Sequence, residues 1–320
     1  METFVARTPI LRIDVTGDDR VRYLEDVTTQ HLVDVPVTHV RSALVLDGHG
    51  APTAMFDVVV LGDRLALLLP DATVAATVMD VLAMRTFLLD ARFEQREDVV
   101  VSVRGDDAAE VVSGAGLTTV AGRCRQAGDL LVVSQPGGID VVGPDRAVEE
   151  AVAALRGAGA REGSAADLDA WRVAAGMPAW GVEVTPPHLP EEMGLLPSHV
   201  HLAKGCYPGQ EAVARMWMLG RPRRRLAVVT IVGGDVGGGG GGGEVAAGWT
   251  AGAGRNAATV STVDAAAAQA LAFVPSAATP GDRFDGDDGN AIVVDRLVGD
   301  EPNPPGHDPK MTRRRDRPRG

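Results

Sequence analysis

The sequence predicts an α+β fold followed by a small all-β barrel or sandwich. In the first half, short apolar strand patterns joined by tight turns alternate with amphipathic helix patterns, as in domains whose helices cover one side of hairpin-paired strands. In the last third, short strand patterns recur between turn residues. No Gly-rich phosphate loop follows a strand of the first half, which argues against the Rossmann and P-loop folds.

The elements of the first half follow from local patterns. Residues 55–61 and 65–69 are apolar runs separated by a Gly-Asp turn, which is typical of a β-hairpin. Apolar residues then recur at helical spacing, which predicts a helix over 71–86. The same reasoning predicts strands over 10–15, 42–46, 99–103, 130–134 and 139–142, and helices over 20–26, 106–115, 146–157 and 167–175.

The last third contains strand patterns and two segments of unusual composition. Residues 237–243 are seven consecutive glycines, which we expect to form an expanded hairpin loop because strand-like segments flank them. The chain after Gly299 is Pro-rich and then Arg-rich, with little to bury, so we expect it to be disordered. The predicted strands are 226–232, 245–249, 257–263, 270–274 and 291–297.

Composition limits the classes of function. The chain has 320 residues, 45% of them hydrophobic, and a formal net charge of −12 at pH 7. An acidic chain repels nucleic-acid backbones, so we expect no direct broad binding of nucleic acid. The N-terminus lacks the charged start and apolar core of a signal peptide, and the longest apolar runs are too short to span a bilayer. We therefore expect a cytoplasmic protein that does not engage a membrane.

Cysteine and histidine usage argues against a resident metal. The two cysteines, Cys124 and Cys206, form no CxxC pair and cannot supply the set of ligands that an iron–sulfur cluster usually needs. The histidines show neither an HExxH motif nor another paired-ligand spacing. We expect no structural metal and no disulfide framework.

The strongest chemical signal is the run Lys-Gly-Cys-Tyr-Pro-Gly-Gln-Glu at 204–211. Its glycines and proline predict a tight, exposed backbone. Lys204 and Arg215 bring positive charge close to Cys206 in the sequence, and positive charge favours the thiolate. Cys206 is therefore either a reactive or ligand-contacting thiol, or an ordinary buried cysteine beside a turn.

Two acidic residues are further candidates. Asp57 lies within an apolar strand, so it is either a proton acceptor or ligand, or a solvent-facing residue of a half-buried strand. Glu192 lies in a loop with Pro and Gly, where it is either a solvated acid or an acceptor of two hydrogen bonds from an amidine-like edge such as that of a pterin. Aromatic faces that either stack on a flat heterocycle or belong to the core are supplied by Trp171, Trp180, Tyr207 and Trp217.

These observations together indicate one family. The chain resembles YgfZ-type proteins, which belong with the glycine-cleavage T-protein superfamily. The segments that carry the resemblance most strongly are 171–185, 189–195 and 204–215. The Lys-Gly-Cys-Tyr-x-Gly-Gln-Glu pattern is long and contiguous, and therefore specific. Residues 17–24 resemble the start of the family's first helix, and 47–58 resemble its central hairpin. The resemblance covers about residues 8–298.

The resemblance implies two intertwined α+β lobes that form a folate-binding domain, followed by a C-terminal all-β barrel. It also implies that the chain binds tetrahydrofolate or a one-carbon derivative and supports assembly or repair of iron–sulfur clusters in client enzymes. Some proteins of the family are linked to tRNA modification through such enzymes, and the resemblance extends this expectation to the chain. We expect a folate-binding region at 1–220 with lobes of about 1–95 and 96–220, a barrel at 221–299 with a Gly-rich loop at 233–243, and a tail at 300–320.

The same resemblance assigns roles to individual residues. Cys206 is the signature cysteine, and Asp57 is similar to the T-protein aspartate beside the reacting folate nitrogen, so these two are the candidate catalytic residues. Glu192 is similar to the acid that contacts the pterin in T-proteins. The other candidate folate-binding residues are Lys204, Tyr207, Gln210, Glu211, Arg215 and Trp180.

The preferred interpretation is a folate-dependent maintenance factor that partners iron–sulfur client enzymes and is a monomer. A first alternative is an aminomethyltransferase of the glycine-cleavage system, a one-carbon transfer that Asp57 and Glu192 allow. The Lys-Gly-Cys-Tyr run does not belong to that enzyme, so we rank it second. A further alternative is a non-catalytic folate-sensing scaffold, which would tolerate loss of Cys206.

Overall fold

The structure is a computed structural model that describes six ranges of the chain: 1–83, 89–135, 137–219, 222–233, 245–300 and 304–308. The expected Gly-rich loop, apart from Gly233, and most of the expected disordered tail lie outside the described residues. The described residues divide into two compact units. The first contains 1–46, 53–171 and 204–208, and the second contains 47–52, 172–203 and the described residues from 209 onward.

The first unit contains eleven strands and most of the longer helices of the described residues. In chain order its strands are β1 (Phe4–Thr8), β2 (Leu11–Thr16), β3 (Val40–Leu46), β4 (Pro52–Val60), β5 (Leu65–Leu69), β6 (Arg92–Arg96), β7 (Val99–Arg104), β8 (Cys124–Ala127), β9 (Leu130–Gln135), β10 (Gly138–Gly143) and β11 (Arg161–Glu162). The helices of this part are α1 (Arg20–Val27), α2 (Ala72–Ala83), α3 (Ala108–Gly114), α4 (Asp145–Gly157) and α5 (Ala165–Ala175), the last of which runs into the second unit.

Two sheets form the first unit, and the chain passes between them twice. One sheet has the order β11-β1-β7-β10-β9-β8, and the other has the order β3-β4-β5-β2-β6. The β1–β11 pair is parallel, whereas β1–β7, β7–β10 and β9–β10 are antiparallel. The chain starts in the first sheet, builds the second with β2–β6, and returns to the first at β7. The expected α+β fold with intertwined lobes is confirmed.

An apolar cluster joins the two sheets. Val59 and Leu68 from one sheet meet Val100, Leu131 and Val133 from the other, and each is at most 4% exposed. Burying one such side chain contributes about 1.5–3 kcal/mol relative to leaving it exposed. Valine and leucine therefore do most of the core packing, as the low aromatic content requires.

Helix α4 covers the other face of the first sheet. Val148, Ala151 and Leu155 recur at helical spacing and are buried against the strands. Asp145 in the first turn and Arg156 in the last turn complement the helix dipole. No helix in the six described ranges combines the length and apolarity that crossing a membrane requires.

The second unit holds the predicted barrel-like domain. Its further elements are α6 (Leu196–His199), α7 (Gln210–Leu219), β12 (Arg224–Val232), β13 (Thr250–Ala251), β14 (Ala258–Asp264), β15 (Gln269–Pro275), β16 (Arg283–Asp285) and β17 (Ala291–Leu297), with a short 3₁₀ turn at Gly254–Asn256. The six strands form one sheet in the order β13-β14-β15-β12-β17-β16. The two edges of this sheet approach each other: Trp249, just before β13, donates its indole N–H to Asp288, just after β16, at 2.9 Å.

Two details of the barrel-like sheet differ from the sequence prediction. The predicted strand 245–249 is wrong: the segment makes a turn in which the Trp249 N–H bonds to the Ala246 oxygen at 3.0 Å, and Gly248 has a φ of 89°. The edge strand β16 was not predicted, because the acidic, Gly-rich sequence around it is typical of a turn.

Candidate functional site

Lys204 lies at the base of the cysteine-containing loop, and its side chain is fully buried. Its ammonium donates hydrogen bonds to the main-chain oxygens of Glu25 and Thr28, at the C-terminal end of α1. The last carbonyls of a helix lack intrahelical donors and carry partial negative charge, so a cation there is favourable. Burial lowers the Lys204 pKa to about 8, although the charges of Glu25 and Asp26 act in the opposite direction.

The Glu25 side chain connects the end of α1 to the residues that follow the helix. Its carboxylate accepts hydrogen bonds from the main-chain N–H groups of Leu32 at 2.6 Å and Val33 at 3.3 Å. The His31 Nδ1 lies 3.0 Å from the same carboxylate, and the Lys204 ammonium lies 4.0 Å from it. Burial raises the pKa of Glu25, but the hydrogen bonds from Leu32 and His31 and the charge of Lys204 outweigh it and lower the pKa overall.

Tyr207 completes the buried side of the loop. Its ring lies under the Lys204 ammonium, with 5.0 Å between the nitrogen and the ring centroid, which is a cation–π contact. Burial raises the pKa of Tyr207 to about 12, so the phenol stays neutral. Between these two buried residues Cys206 is exposed and carries a free thiol. The structure thus brings Lys204 and Tyr207 together and leaves the thiol accessible.

The remaining motif residues begin helix α7. Gln210 is half-buried, while Glu211 and Arg215 are exposed. The Arg215 guanidinium donates to the Glu211 carboxylate at 2.6 Å, an i,i+4 pair at the helix surface. Exposed pairs of this kind contribute about 0.3–0.5 kcal/mol to stability, so neither side chain is needed to hold the fold.

Glu192 lies in the second unit, in the loop before α6. Its carboxylate accepts the Leu189 N–H at 3.1 Å, and the His188 Nδ1 lies 3.6 Å from it. Burial raises the Glu192 pKa, but hydrogen bonds from His188 and from the Leu189 main chain outweigh it, so the pKa is lowered and the carboxylate is ionised at neutral pH. The Leu226 N–H bonds to the Glu192 main-chain oxygen at 2.8 Å, which ties the loop to β12.

His188 was not among the predicted site residues, although its i,i+4 spacing from Glu192 was a readable signal. Its ring stacks on the Phe273 ring of β15, with centroids 4.3 Å apart and an interplanar angle of 9°. The histidine is therefore held on one face by an aromatic ring while it contacts the Glu192 carboxylate through an edge. The result is a carboxylate beside a stacked aromatic pair.

Asp57 lies on β4 in the first unit and is half-buried. The Ser42 hydroxyl donates to it at 2.6 Å. Burial raises the pKa of Asp57 to about 6; the Asp140 charge adds to the rise, and the Ser42 hydrogen bond and the Arg104 charge oppose it. A carboxyl group with this pKa can exchange a proton near neutral pH.

The charges that face Asp57 belong to a buried network that the sequence did not reveal. The Asp140 carboxylate is fully buried and accepts hydrogen bonds from Arg104 at 2.8 Å, Ser102 at 2.7 Å and Gln135 at 2.7 Å. The Arg104 guanidinium also lies 5.1 Å from the Trp171 ring centroid. Asp140 is an acid in the middle of the predicted strand 139–142, and this was the sequence feature that could have indicated the network.

Trp180 is half-buried in a turn that Glu183 organises. The fully buried Glu183 carboxylate accepts hydrogen bonds from the Ala179 N–H at 3.0 Å and the Arg172 guanidinium at 3.0 Å. Hydroxyls of Ser261 and Thr262 on β14 each donate to it at 2.7 Å. The turn that carries Trp180 is therefore fixed to the barrel-like sheet. Within the described ranges no group of three or more His, Cys, Asp or Glu side chains is placed to hold a metal ion.

Comparisons with known proteins agree with the resemblance seen in the sequence. The chain is 24% identical over 222 residues to the tRNA-modifying protein YgfZ of Vibrio atlanticus (strain LGP32), over 68% of this chain. The matched part spans 66% of that relative's length, just under two thirds. No family model matches the chain.

The fold is similar to that of a solved enzyme. The chain superposes on the crystal structure of glycine cleavage system aminomethyltransferase T from Bartonella henselae with a TM-score of 0.77, over 93% of this chain and 86% of that one. The sequences are 18% identical, so this similarity shows the fold alone. The sequence similarity confirms the resemblance to YgfZ-type proteins, and the similarity to aminomethyltransferase T confirms the expected fold.

Proposed function

We propose that this protein is a cytoplasmic folate-binding protein that supports the assembly or repair of iron–sulfur clusters in client enzymes and affects tRNA modification through them. The observation that carries the proposal is the loop at 204–208, where Lys204 and Tyr207 are buried and the Cys206 thiol between them is exposed. An exposed thiol on an anchored loop is accessible to a partner or a folate-borne group. The relative named YgfZ and the fold of aminomethyltransferase T support the same proposal.

The chemistry of Glu192 fits a reduced folate. The pterin ring presents an amidine-like edge of N–H donors, and an ionised carboxylate accepts two such hydrogen bonds. The pKa of Glu192 is lowered, which keeps the carboxylate ionised. His188 and Phe273 form an aromatic stack beside it. When bound, tetrahydrofolate supplies a nitrogen that carries a one-carbon group, and Glu192 would orient its ring.

Calorimetric titration with tetrahydrofolate under anaerobic reducing conditions tests the folate part of the proposal. We expect saturable binding to the wild type and binding weakened by about tenfold or more in Glu192→Ala, since a charged hydrogen bond is lost. Glu94→Ala is the matched control, because Glu94 is an exposed acid on β6 in the first unit. Absence of binding to the wild type would contradict the folate assignment.

The role of the thiol needs a separate test in cells that lack the native protein. Cys206→Ser should fail to restore the activity of iron–sulfur enzymes, because a hydroxyl is a far weaker nucleophile and metal ligand than a thiolate. Cys124→Ser is the control, since Cys124 is buried on β8. Full rescue by Cys206→Ser would contradict the thiol role and favour the non-catalytic folate-sensing scaffold.

A specific observation favours one second candidate, an aminomethyltransferase. Asp57 has a pKa of about 6, which suits a group that steers proton transfer at a folate nitrogen. This candidate predicts tetrahydrofolate-dependent release of ammonia from an aminomethylated lipoyl carrier protein. Ammonia release that disappears in Asp57→Asn would support it, whereas no activity with a competent carrier would eliminate it.

A further inference from the structure

The C-terminal segment 304–308 contacts the chain on both sequence flanks of the cysteine loop. The Leu202 N–H donates to the Pro305 main-chain oxygen at 2.8 Å. The His307 ring lies edge-on to the Trp217 ring of α7, with centroids 5.7 Å apart and an interplanar angle of 80°. Leu202 precedes Lys204 by two positions, and α7 begins directly after Gly209. One five-residue segment therefore holds the chain before and after the loop 204–209.

The fit of this segment is specific at Gly306. Its φ is 77°, a conformation that favours glycine. A Cβ added at Gly306 would lie 2.6 Å from the Ala203 nitrogen and 2.6 Å from the His201 Cε1, closer than real contacts allow. Pro304 is buried at the start of the segment. A loosely attached segment makes neither such a close approach nor a buried proline.

We propose that the segment 304–308, which we call the C-terminal strap, is a positioning element that fixes both ends of the loop 204–209 and thereby sets how the Cys206 thiol is presented. A loop whose ends are held loses conformational freedom, because the separation of its ends no longer varies. Lys204 holds the interior of the loop through α1, and the strap holds the flanks through Leu202 and Trp217. The inference rests on the proposed function only for the importance of the thiol.

Two full-length glycine variants isolate the strap from general backbone strain. Gly306→Ala is compared with Gly281→Ala, since both glycines have a left-handed φ, 77° and 92°, and both substitutions strain the backbone. A Cβ at Gly281 meets nothing within 4 Å, whereas one at Gly306 collides with the chain before the loop. The readouts are amide hydrogen exchange over 204–209 and the rate of iodoacetamide alkylation of Cys206, followed on its peptide by mass spectrometry.

We expect Gly306→Ala to speed hydrogen exchange over 204–209 by about tenfold or more, because local opening becomes easier. The alkylation rate of Cys206 should change by at least about threefold, since the thiol samples more orientations. Gly281→Ala should leave both rates within about twofold of the wild type. His307→Ala, which removes the ring contact with Trp217 and adds no backbone strain, should shift both rates in the same direction by a smaller factor.

Unchanged exchange and alkylation in Gly306→Ala and His307→Ala would overturn the proposal, as would equal effects of Gly306→Ala and Gly281→Ala. Loss of cooperative urea unfolding in Gly306→Ala would also overturn it, since the strap would then support the whole unit. The folate titration is independent of these readouts. A wild type that does not bind tetrahydrofolate, together with altered Cys206 reactivity in the strap variants, would contradict the proposed function and support the strap.

Discussion

The Lys204 ammonium lies 2.5 Å from the main-chain oxygen of Thr28, the residue that ends helix α1. The two residues are 176 positions apart in the sequence. This contact holds the cysteine-containing loop against a helix from the start of the chain. It gives the motif lysine a positioning role, because its fully buried ammonium bonds to the carbonyls at the end of this helix.

Replacing Lys204 by Met should destabilise the protein. The substitution keeps an unbranched side chain but leaves the oxygens of Glu25 and Thr28 without this donor, at a cost of about 1–3 kcal/mol for each buried group. Removing a desolvated charge offsets part of that cost. We expect a net loss of about 1–2 kcal/mol in the free energy of unfolding, measured by urea denaturation.

Arg215→Met is the control for that measurement, because it removes a cation from an exposed i,i+4 pair. Its expected effect is within about 0.5 kcal/mol. A Lys204→Met protein as stable as the wild type would show that the bonds to the end of α1 do not stabilise the fold.

The stability conferred by Asp57 should depend on pH. Its pKa is raised from 3.8 to about 6 in the folded protein, chiefly by burial, so between these values the folded state binds more protons than the unfolded state. The contribution is therefore fully present below the unfolded pKa and is lost as the pH rises through about 6. The Asp57→Asn variant has no titratable group at this position, so it does not lose this stability as the pH rises.

Urea unfolding of both proteins at about pH 4 and about pH 7 checks this prediction. We expect the stability of the wild type relative to Asp57→Asn to fall by about 1–3 kcal/mol between the two conditions. A stability difference that does not change with pH would mean that the Asp57 pKa is close to its ordinary value in the folded protein.

Local patterns sufficed for much of the fold. The hairpin of β4 and β5 and the helix at 20–26 were predicted because their apolar spacing and turn residues lie within a few positions of each other. Strand β1 was not predicted: its pairing with β7 joins residues about a hundred positions apart, which a local pattern does not contain. The short strand β11 was missed for the same reason.

Candidate residues were predictable as chemical types but not as partners. Asp57 was identified because an acid in an apolar strand is costly. Burial is the main cause of its raised pKa, and the Asp140 charge that adds to the rise belongs to another sheet. Lys204 was predicted as a folate-binding residue from the motif, and its bonds to the end of α1 come from tertiary structure alone. His188 was visible at i,i+4 from Glu192, but its stacking on Phe273 depends on how β15 is placed.

The buried Glu183 should matter more for stability than an exposed ion pair. Glu183→Gln removes the charge that faces the Arg172 guanidinium, whose side chain is only 13% exposed. Breaking a buried pair on one side typically costs about 3–5 kcal/mol, because the remaining charge is left uncompensated. Glu211→Gln is the control, since its side chain is 87% exposed. Urea denaturation should show a large loss in the free energy of unfolding for Glu183→Gln and almost none for Glu211→Gln. Similar losses would mean that the buried hydrogen bonds of Glu183 do not stabilise the protein.

His188 should position Glu192 for the proposed folate contact. His188→Ala removes the ring that stacks on Phe273 and contacts the carboxylate, so Glu192 gains freedom without losing its charge. A side chain that is already immobilised saves about 0.5–1.5 kcal/mol on binding. A mobile Glu192 should therefore weaken tetrahydrofolate binding about three- to tenfold, measured by calorimetry. His39→Ala, in the first unit, is the control. If Glu192→Ala weakens binding but His188→Ala does not, Glu192 acts without help from the histidine. If His188→Gln restores binding, a polar contact suffices and the aromatic stack is not required.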